Sequence, residues 1–377
     1  QAAVRLDARS SATSPGMLPS TLPLARLTAL RQFGVAAPAC LPRAARQVQT
    51  AAPRKLDPST RASFFYQSSN VPTSTLSTGR VGTYRDALGS DTEFFGVEPV
   101  PTEVAVHNGR GEAFTLDKNG FTLVSHAWKH VNYYDNEDVL RAYYPECEAV
   151  VCRETGASFA LAFDHNVRAR RRKLAGESLR GGNAVQEPLV GYGVHNDYTA
   201  ASAPRRIRQL AEPPKRNDTT RQLFGSAPPL DPAKVESLLR GRWVFVNAWR
   251  NIAEEPVARL PLGLCDAAST NIDDLVVFEI RYADRVGENY FARHSATHRW
   301  VYFPRATRDE LILLKCWDSR GRDFVSYMPG QEAVRTEEGA IPATFSLHSG
   351  FDDPATPEDA PDRESIEVRL IAFFEDF

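Results

Sequence analysis

Cysteine is scarce in this chain of 377 residues. There are five, at positions 40, 147, 152, 265 and 316, an odd number with no Cys-x-x-Cys pair. That pattern argues against a disulfide framework and a zinc-thiolate site, and for free thiols in a reducing compartment. Long apolar runs are absent too, so no transmembrane helix is expected. The formal net charge is −2, which gives no bulk reason to bind nucleic acid. No glycine-rich loop follows a strand, so nothing suggests a methyltransferase-type cofactor site. No internal repeat is visible. Between Met17 and Lys55 acidic residues are missing altogether, while Arg26, Arg31, Arg43, Arg46, Arg54 and Lys55 are present. Residues 1–56 therefore read as a disordered extension. Residues 17–55 have the composition of a mitochondrial transit peptide, the alternative to a cytoplasmic location.

Residues 57–377 read as one domain, large enough for a substantial core. The stretch from 57 to 120 is rich in Ser, Thr, Gly and Pro, with short apolar pairs, and is expected to be irregular. A helix capped by Asn136 presents Val139, Leu140, Tyr143 and Tyr144 on one face. Residues 157–168 (ASFALAFDHNVR) read as a buried strand, followed by a basic run, RARRRK (168–173), expected to be a solvated loop. Two short helices are expected at 201–212, with Ser202 as cap, and at 231–241, with Asp231 as cap. Strand then follows strand: 242–250, 274–283, 298–304, 310–318, 323–328, 343–349 and 364–374. So many strands with few helices between them predict a mainly β fold with flanking helices, an antiparallel sandwich or closed barrel.

The stretch that carries chemistry is GYGVHNDYT (191–199). On an extended chain, His195 and Asp197 point the same way, because side chains alternate with period two. Joined by a second histidine, they would form the two-histidine, one-carboxylate face that holds Fe(II) and leaves positions open. His348, at the end of a late strand, is the choice for that histidine; His294 and His298 compete, and His165 is a weaker candidate. His107, His126 and His130 read as structural. Arg369 is the one basic residue inside the apolar strand ESIEVRLIAFF, and its planar fork suits a carboxylate. Arg363, with Ser365 two residues on, could do the same work. Arg250 and Tyr198 are expected to meet substrate, and Trp249, Phe278, Trp300 and Tyr302 are candidate pocket walls.

Taken together, His195-x-Asp197, His348 and an arginine on the last strand resemble the Fe(II)/2-oxoglutarate-dependent oxygenases. More narrowly, YYPE (143–146), VHNDYT (194–199), NAWRNI (247–252), PLGLCDAAS (261–269), residues 298–319 and residues 348–369 resemble the fungal hydroxylase/desaturase family. That resemblance implies a double-stranded β-helix of jelly-roll or cupin type. It also implies His195, Asp197 and His348 on iron, and Arg369 or Arg363 on 2-oxoglutarate. The gap from His348 to Arg369 is longer than is usual there, whereas Arg363-Glu364-Ser365 fits the usual spacing; Arg369 ranks first on the strand pattern. The implied activity is hydroxylation or desaturation of a small secondary metabolite by molecular oxygen. Two other readings are an iron oxidase that does not use 2-oxoglutarate and a non-catalytic β-helix that only binds a ligand.

Overall fold

The computed structural model describes residues 60–86, 91–129, 131–179, 185–188, 191–215, 218–324 and 340–374. The expected N-terminal extension, His130 and most of the strand expected at 323–328 lie outside them; the described start of that strand is instead a 3-10 turn, Arg322–Phe324. The described strands are β1 (Thr60–Gln67), β2 (Gly82–Arg85), β3 (Asp91–Phe95), β4 (Pro99–Asn108), β5 (Phe121–Ser125), β6 (Phe159–Ala169), β7 (His195–Asn196) and β8 (Trp243–Asn251). They continue as β9 (Leu262–Cys265), β10 (Leu275–Arg281), β11 (Val286–Ala292), β12 (Trp300–Tyr302), β13 (Glu310–Asp318), β14 (His348–Gly350) and β15 (Glu364–Phe373). They form two sheets. One runs β1-β4-β12-β9-β14-β7-β11-β10-β2-β3; the other runs β5-β13-β8-β15-β6. Pairing is antiparallel except where β2 meets β10 and β4 meets β12. Two sheets joined by such crossed connections make a jelly roll, as the late strands predict.

Alternation decides what each strand buries. On β8 every residue is buried, because both faces of the small sheet are covered. Trp243, Phe245 and Trp249 face the large sheet and share a core with Phe64, Leu264, Tyr290 and Trp300. Val244, Val246 and Ala248 face outward, under Tyr143, Tyr144, Val150 and Val151. Most of those belong to helix Tyr144–Thr155, which has Pro145 in its first turn and ends at Gly156. Helical backbone runs on from Asn136 through a π-helical stretch, Val139–Tyr143, into this helix, so Pro145 interrupts the regular α-helical ladder without ending the helix.

Several local expectations need correction. Residues 57–120 supply β1 to β4 instead of irregular structure. Ala62, Phe64 and Tyr66 of β1 do alternate inward, but polar residues on the other face and the flanking prolines hide the pattern. GYGV is a turn, with Gly191 and Gly193 at positive φ, and the strand is confined to His195–Asn196. The caps at Asn136, Ser202 and Asp231 are also displaced. Asp135 caps the first helix, Ser202 lies inside helix Ser202–Leu210, and Asp231 accepts from Ala233 N ahead of helix Val235–Arg240.

Arg250 is a further correction. It falls on the outward face of β8, fully buried, with its guanidinium against His126 and donating to the Arg308 carbonyl at 2.9 Å. Glu146 of the YYPE stretch lies 3.9 Å away. It cannot meet a substrate from there. Arg250→Met is expected to destabilise the protein by about 2 kcal/mol, since it takes a buried charged donor away from the Arg308 carbonyl and from His126. A lowered urea midpoint, with unchanged iron binding by the folded protein, checks this.

Candidate metal centre

β7 and β14 lie side by side in the large sheet, with His195 directly opposite His348. Their rings sit 4.4 Å apart, centroid to centroid. Asp197 follows in the same direction as His195, its Oδ1 at 3.8 Å from His195 Nε2. One ligand-type atom from each of the three lies within 4.8 Å of the others, and no further group of this kind gathers among the described residues. His294 and His298 surround Tyr66 instead, His298 Nδ1 being 3.1 Å from the Tyr66 hydroxyl. His165 is held by the Tyr144 hydroxyl at 3.0 Å.

The hydrogen bonds around these three side chains leave the right atoms free. His195 Nδ1 is 2.9 Å from the carbonyl of Gly193, and His348 Nδ1 is 3.3 Å from that of Ser346. A carbonyl accepts only from N–H, so both Nδ1 atoms carry the proton and both Nε2 atoms keep a lone pair. Gly193 can turn its carbonyl back because its φ of +112° lies in a region that other residues avoid. Asp197 Oδ2 accepts from Asn247 Nδ2 at 2.8 Å and from Arg369 Nε at 3.5 Å. Oδ1 is left for another partner. Such a set, two neutral imidazoles and one carboxylate, suits a divalent transition metal.

Charge follows burial. His195 is pushed down to about 4, first by burial and then by His348. Burial alone would raise the Asp197 carboxyl, but Arg369 and then the two histidines outweigh it and hold the group ionised well below the usual range. His165 and His298 are also pushed down to about 4 by burial, and His126 and His348 shift the same way. An unfolded chain with histidines near 6.5 takes up protons that the folded one refuses. Stability is therefore full above about pH 6.5 and falls as pH drops toward 4. The metal-free protein should show a lower urea midpoint at pH 5 than at pH 7.5; a higher one contradicts this reading.

Around the three ligand-type residues lies a cavity of about 930 Å³, whose lining includes Tyr198, Trp249, Arg363, Glu367 and Arg369. Of the aromatic walls expected, only Trp249 contributes. Phe278 stacks on Phe291, Trp300 on Phe64, and Tyr302 packs edge-on against Phe351, all as core. The inner face of β15 carries Ser365, Glu367 and Arg369; across from them β6 presents Arg168, Asn166 and Asp164. Arg369 is already engaged by carboxylates: Nη1 to Asp164 at 3.0 Å, Nη2 to Glu367 at 3.1 Å, and Asp197 as above. Arg363 differs. It is buried, its Nη1 donates to the Leu260 carbonyl, its Nε has no partner, and no carboxylate pairs with it among the described residues. Leu260 holds a positive φ of 50°, a conformation uncommon outside glycine, to present that carbonyl. Burial first, then the nearby Arg168, disfavour the charge on Arg363. Ser365 shares this face but is buried and is not among the lining residues.

Arg168, Asn247 and Glu367 were missed in the sequence. Arg168 opens the basic run RARRRK, yet it belongs to β6, and only the residues after Ala169 form a short helix on the outside. The alternation Asp164, Asn166, Arg168 was the available signal.

Comparison with known proteins agrees with this geometry. The family described as oxidoreductase/YMDC permease-like domain matches residues 83–373. The alpha-ketoglutarate-dependent dioxygenase phiK of a fungal species is 29% identical over 285 residues, covering 72% of this chain and 83% of that protein. The hydroxylase/desaturase efuI of Hormonema carpetanum is 28% identical over 304 residues, covering 77% and 88%. Among solved structures, the iron and alpha-ketoglutarate-dependent endoperoxidase NvfI superposes with a TM-score of 0.60 at 23% identity, over 84% of this chain and 98% of that one. No helix among the described residues is long and apolar enough to cross a membrane.

Proposed function

Because this chain belongs to the fungal hydroxylase/desaturase family, we propose that it is a non-haem Fe(II)/2-oxoglutarate-dependent oxygenase that hydroxylates or desaturates a small secondary metabolite. His195, Asp197 and His348 would hold the iron. The observation that carries this is the pair of imidazoles locked with Nε2 free beside a carboxylate whose Oδ1 is free. When bound, the ferrous ion and 2-oxoglutarate supply the oxidation, consuming dioxygen, releasing carbon dioxide and succinate, and removing hydrogen from an unactivated C–H bond.

The residues of the chain do the rest. Asn247 and Arg369 fix the rotation of the Asp197 carboxylate, so one oxygen is always presented. Arg363 is the better candidate for the far carboxylate of 2-oxoglutarate, which reverses the ranking taken from the strand pattern. A buried guanidinium without an anion is costly, and a dicarboxylate would complete it. Arg369 already has three carboxylates and would gain little. Trp249 lies against the Arg363 guanidinium, 5.7 Å from ring centroid to Cζ, and keeps water from one side of it.

Charge balance supports the co-substrate over the oxidase reading. On the inner face, Asp164, Asp197 and Glu367 offset Arg168, Arg363 and Arg369, with both histidines neutral. A dication alone would leave this region positive, while a dication with a dianion restores neutrality. The purely binding reading gives no reason for two histidines to keep the same nitrogen free. The test is metal-dependent turnover. Purified protein supplied with Fe(II) and oxygen should convert 2-oxoglutarate to succinate slowly without substrate. Oxygen uptake that ignores 2-oxoglutarate would point to the oxidase.

A further inference from the structure

Among the described residues, seven arginines line the cavity. Four of them are paired with acids: Arg85 with Asp91 at 2.7 Å, Arg205 with Glu288 at 3.6 Å, Arg285 with Asp284 at 3.3 Å, and Arg369 as described. Arg168, Arg206 and Arg363 have no carboxylate partner among the described residues. Arg363, just ahead of β15, and Arg168, opposite Ser365 on β6, stand near one another at the end assigned above to 2-oxoglutarate. Arg206 remains.

Arg206 lies on helix Ser202–Leu210, which begins a few residues after Asp197. Ala203, Ile207 and Leu210 of that helix are buried in the core. Arg206 and Gln209, three apart and so on one face, line the cavity. The guanidinium lies over the ring of Phe163, 5.0 Å from its centroid. Among the described residues its one hydrogen bond goes to Gln209 Oε1 at 3.4 Å, long for a charged donor. A face held on an aromatic ring leaves the N–H edges unused, in a half-buried position. Beside it runs an apolar wall. Phe163 meets Phe245 edge-on at 5.8 Å, and Tyr198 stacks on Phe245 at 4.2 Å. Phe163 and Tyr198 both face the cavity.

We propose that the substrate is an organic anion with an apolar body, its carboxylate or phosphate bound by Arg206 and its body lying along Phe163 and Tyr198. This rests on the oxygenase reading for the identity of the site, since Asp197 fixes where the oxidised carbon must come. Arg206 is then a residue that determines specificity, and Tyr198 meets substrate as the sequence suggested.

The experiment uses the protein loaded with Fe(II) and 2-oxoglutarate under anaerobic conditions. Decanoate, decyl phosphate and decanamide are titrated into it by calorimetry. An acid is expected to bind at least about tenfold more tightly than the amide, the usual worth of a hydrogen bond to a charged group. The tighter of the two acids identifies the anionic group. Arg206→Gln should abolish the preference and Arg206→Lys should restore part of it, while the Fe(II)/2-oxoglutarate absorption band persists in both. Equal binding of acid and amide, no binding of any probe, or an undiminished preference in Arg206→Gln would overturn the proposal. A wild-type protein that binds no iron or 2-oxoglutarate would instead sink the oxygenase reading, and the acid preference could still be measured on it.

Discussion

Asp197→Ala is expected to lower Fe(II) affinity and turnover by about a thousandfold, equivalent to roughly 4 kcal/mol. Asp197 is the sole anion among the three ligand-type residues, and its free Oδ1 faces His195 Nε2. Without it, two neutral imidazoles remain, and these alone hold Fe(II) weakly. The loss should fall on the metal and not on the fold, because Arg369 keeps Asp164 and Glu367 as partners. Asn247→Ala provides the graded comparison. It removes only the 2.8 Å bond that orients Oδ2, so a loss of about 10- to 100-fold in affinity is expected. Titration of each purified variant with Fe(II), alongside its thermal unfolding, separates the two effects. If Asp197→Ala bound iron as the wild type does, the ligand assignment would be wrong.

Arg363→Gln is expected to raise the 2-oxoglutarate concentration for half-saturation by about 100-fold, with Fe(II) affinity nearly unchanged. A bidentate bond between a charged pair in a buried site contributes up to about 3 kcal/mol, which is of this size. Relieving a buried cation that no carboxylate pairs with among the described residues should also leave the metal-free variant at least as stable as the wild type, since Arg363 there meets a carbonyl and a ring. Arg369→Gln has the opposite signature. It unpairs Asp164 and Glu367 and frees the Asp197 carboxylate to rotate, so stability and iron affinity fall first and 2-oxoglutarate binding follows. Measuring both ligands on both variants distinguishes the arginines. Wild-type 2-oxoglutarate dependence in Arg363→Gln would return the role to Arg369.

How much of this was legible in the sequence depends on the physics of each stretch. β8, β10 and β13 are nearly continuous apolar runs because both their faces are covered, and such runs stand out, while β15 shows itself by alternation that gives way to the apolar run Leu370–Phe373. His195 and Asp197 were legible as a pair because period two fixes their direction; His348 was chosen as the end of a strand expected at 343–349, whereas it opens the short strand His348–Gly350. β1 to β4 were not, since β3 and much of β4 are exposed and rich in polar residues, which leaves no core signature. Arg250 was misplaced for a simpler reason. The same period-two count that aims His195 and Asp197 together aims Arg250 away from Asn247 and Trp249. The choice between Arg363 and Arg369 could not be made from one chain, because it turns on Asp164, a residue 205 positions away that neutralises Arg369.

The central claim is that His195, Asp197 and His348 hold iron beside a bound 2-oxoglutarate. The most direct test is anaerobic addition of Fe(II) and then 2-oxoglutarate, following the weak visible charge-transfer absorption of the chelate. The account predicts a band that needs both additions in the wild type and is absent from His195→Ala. A band that survives in His195→Ala, or iron binding without any band in the wild type, would contradict it.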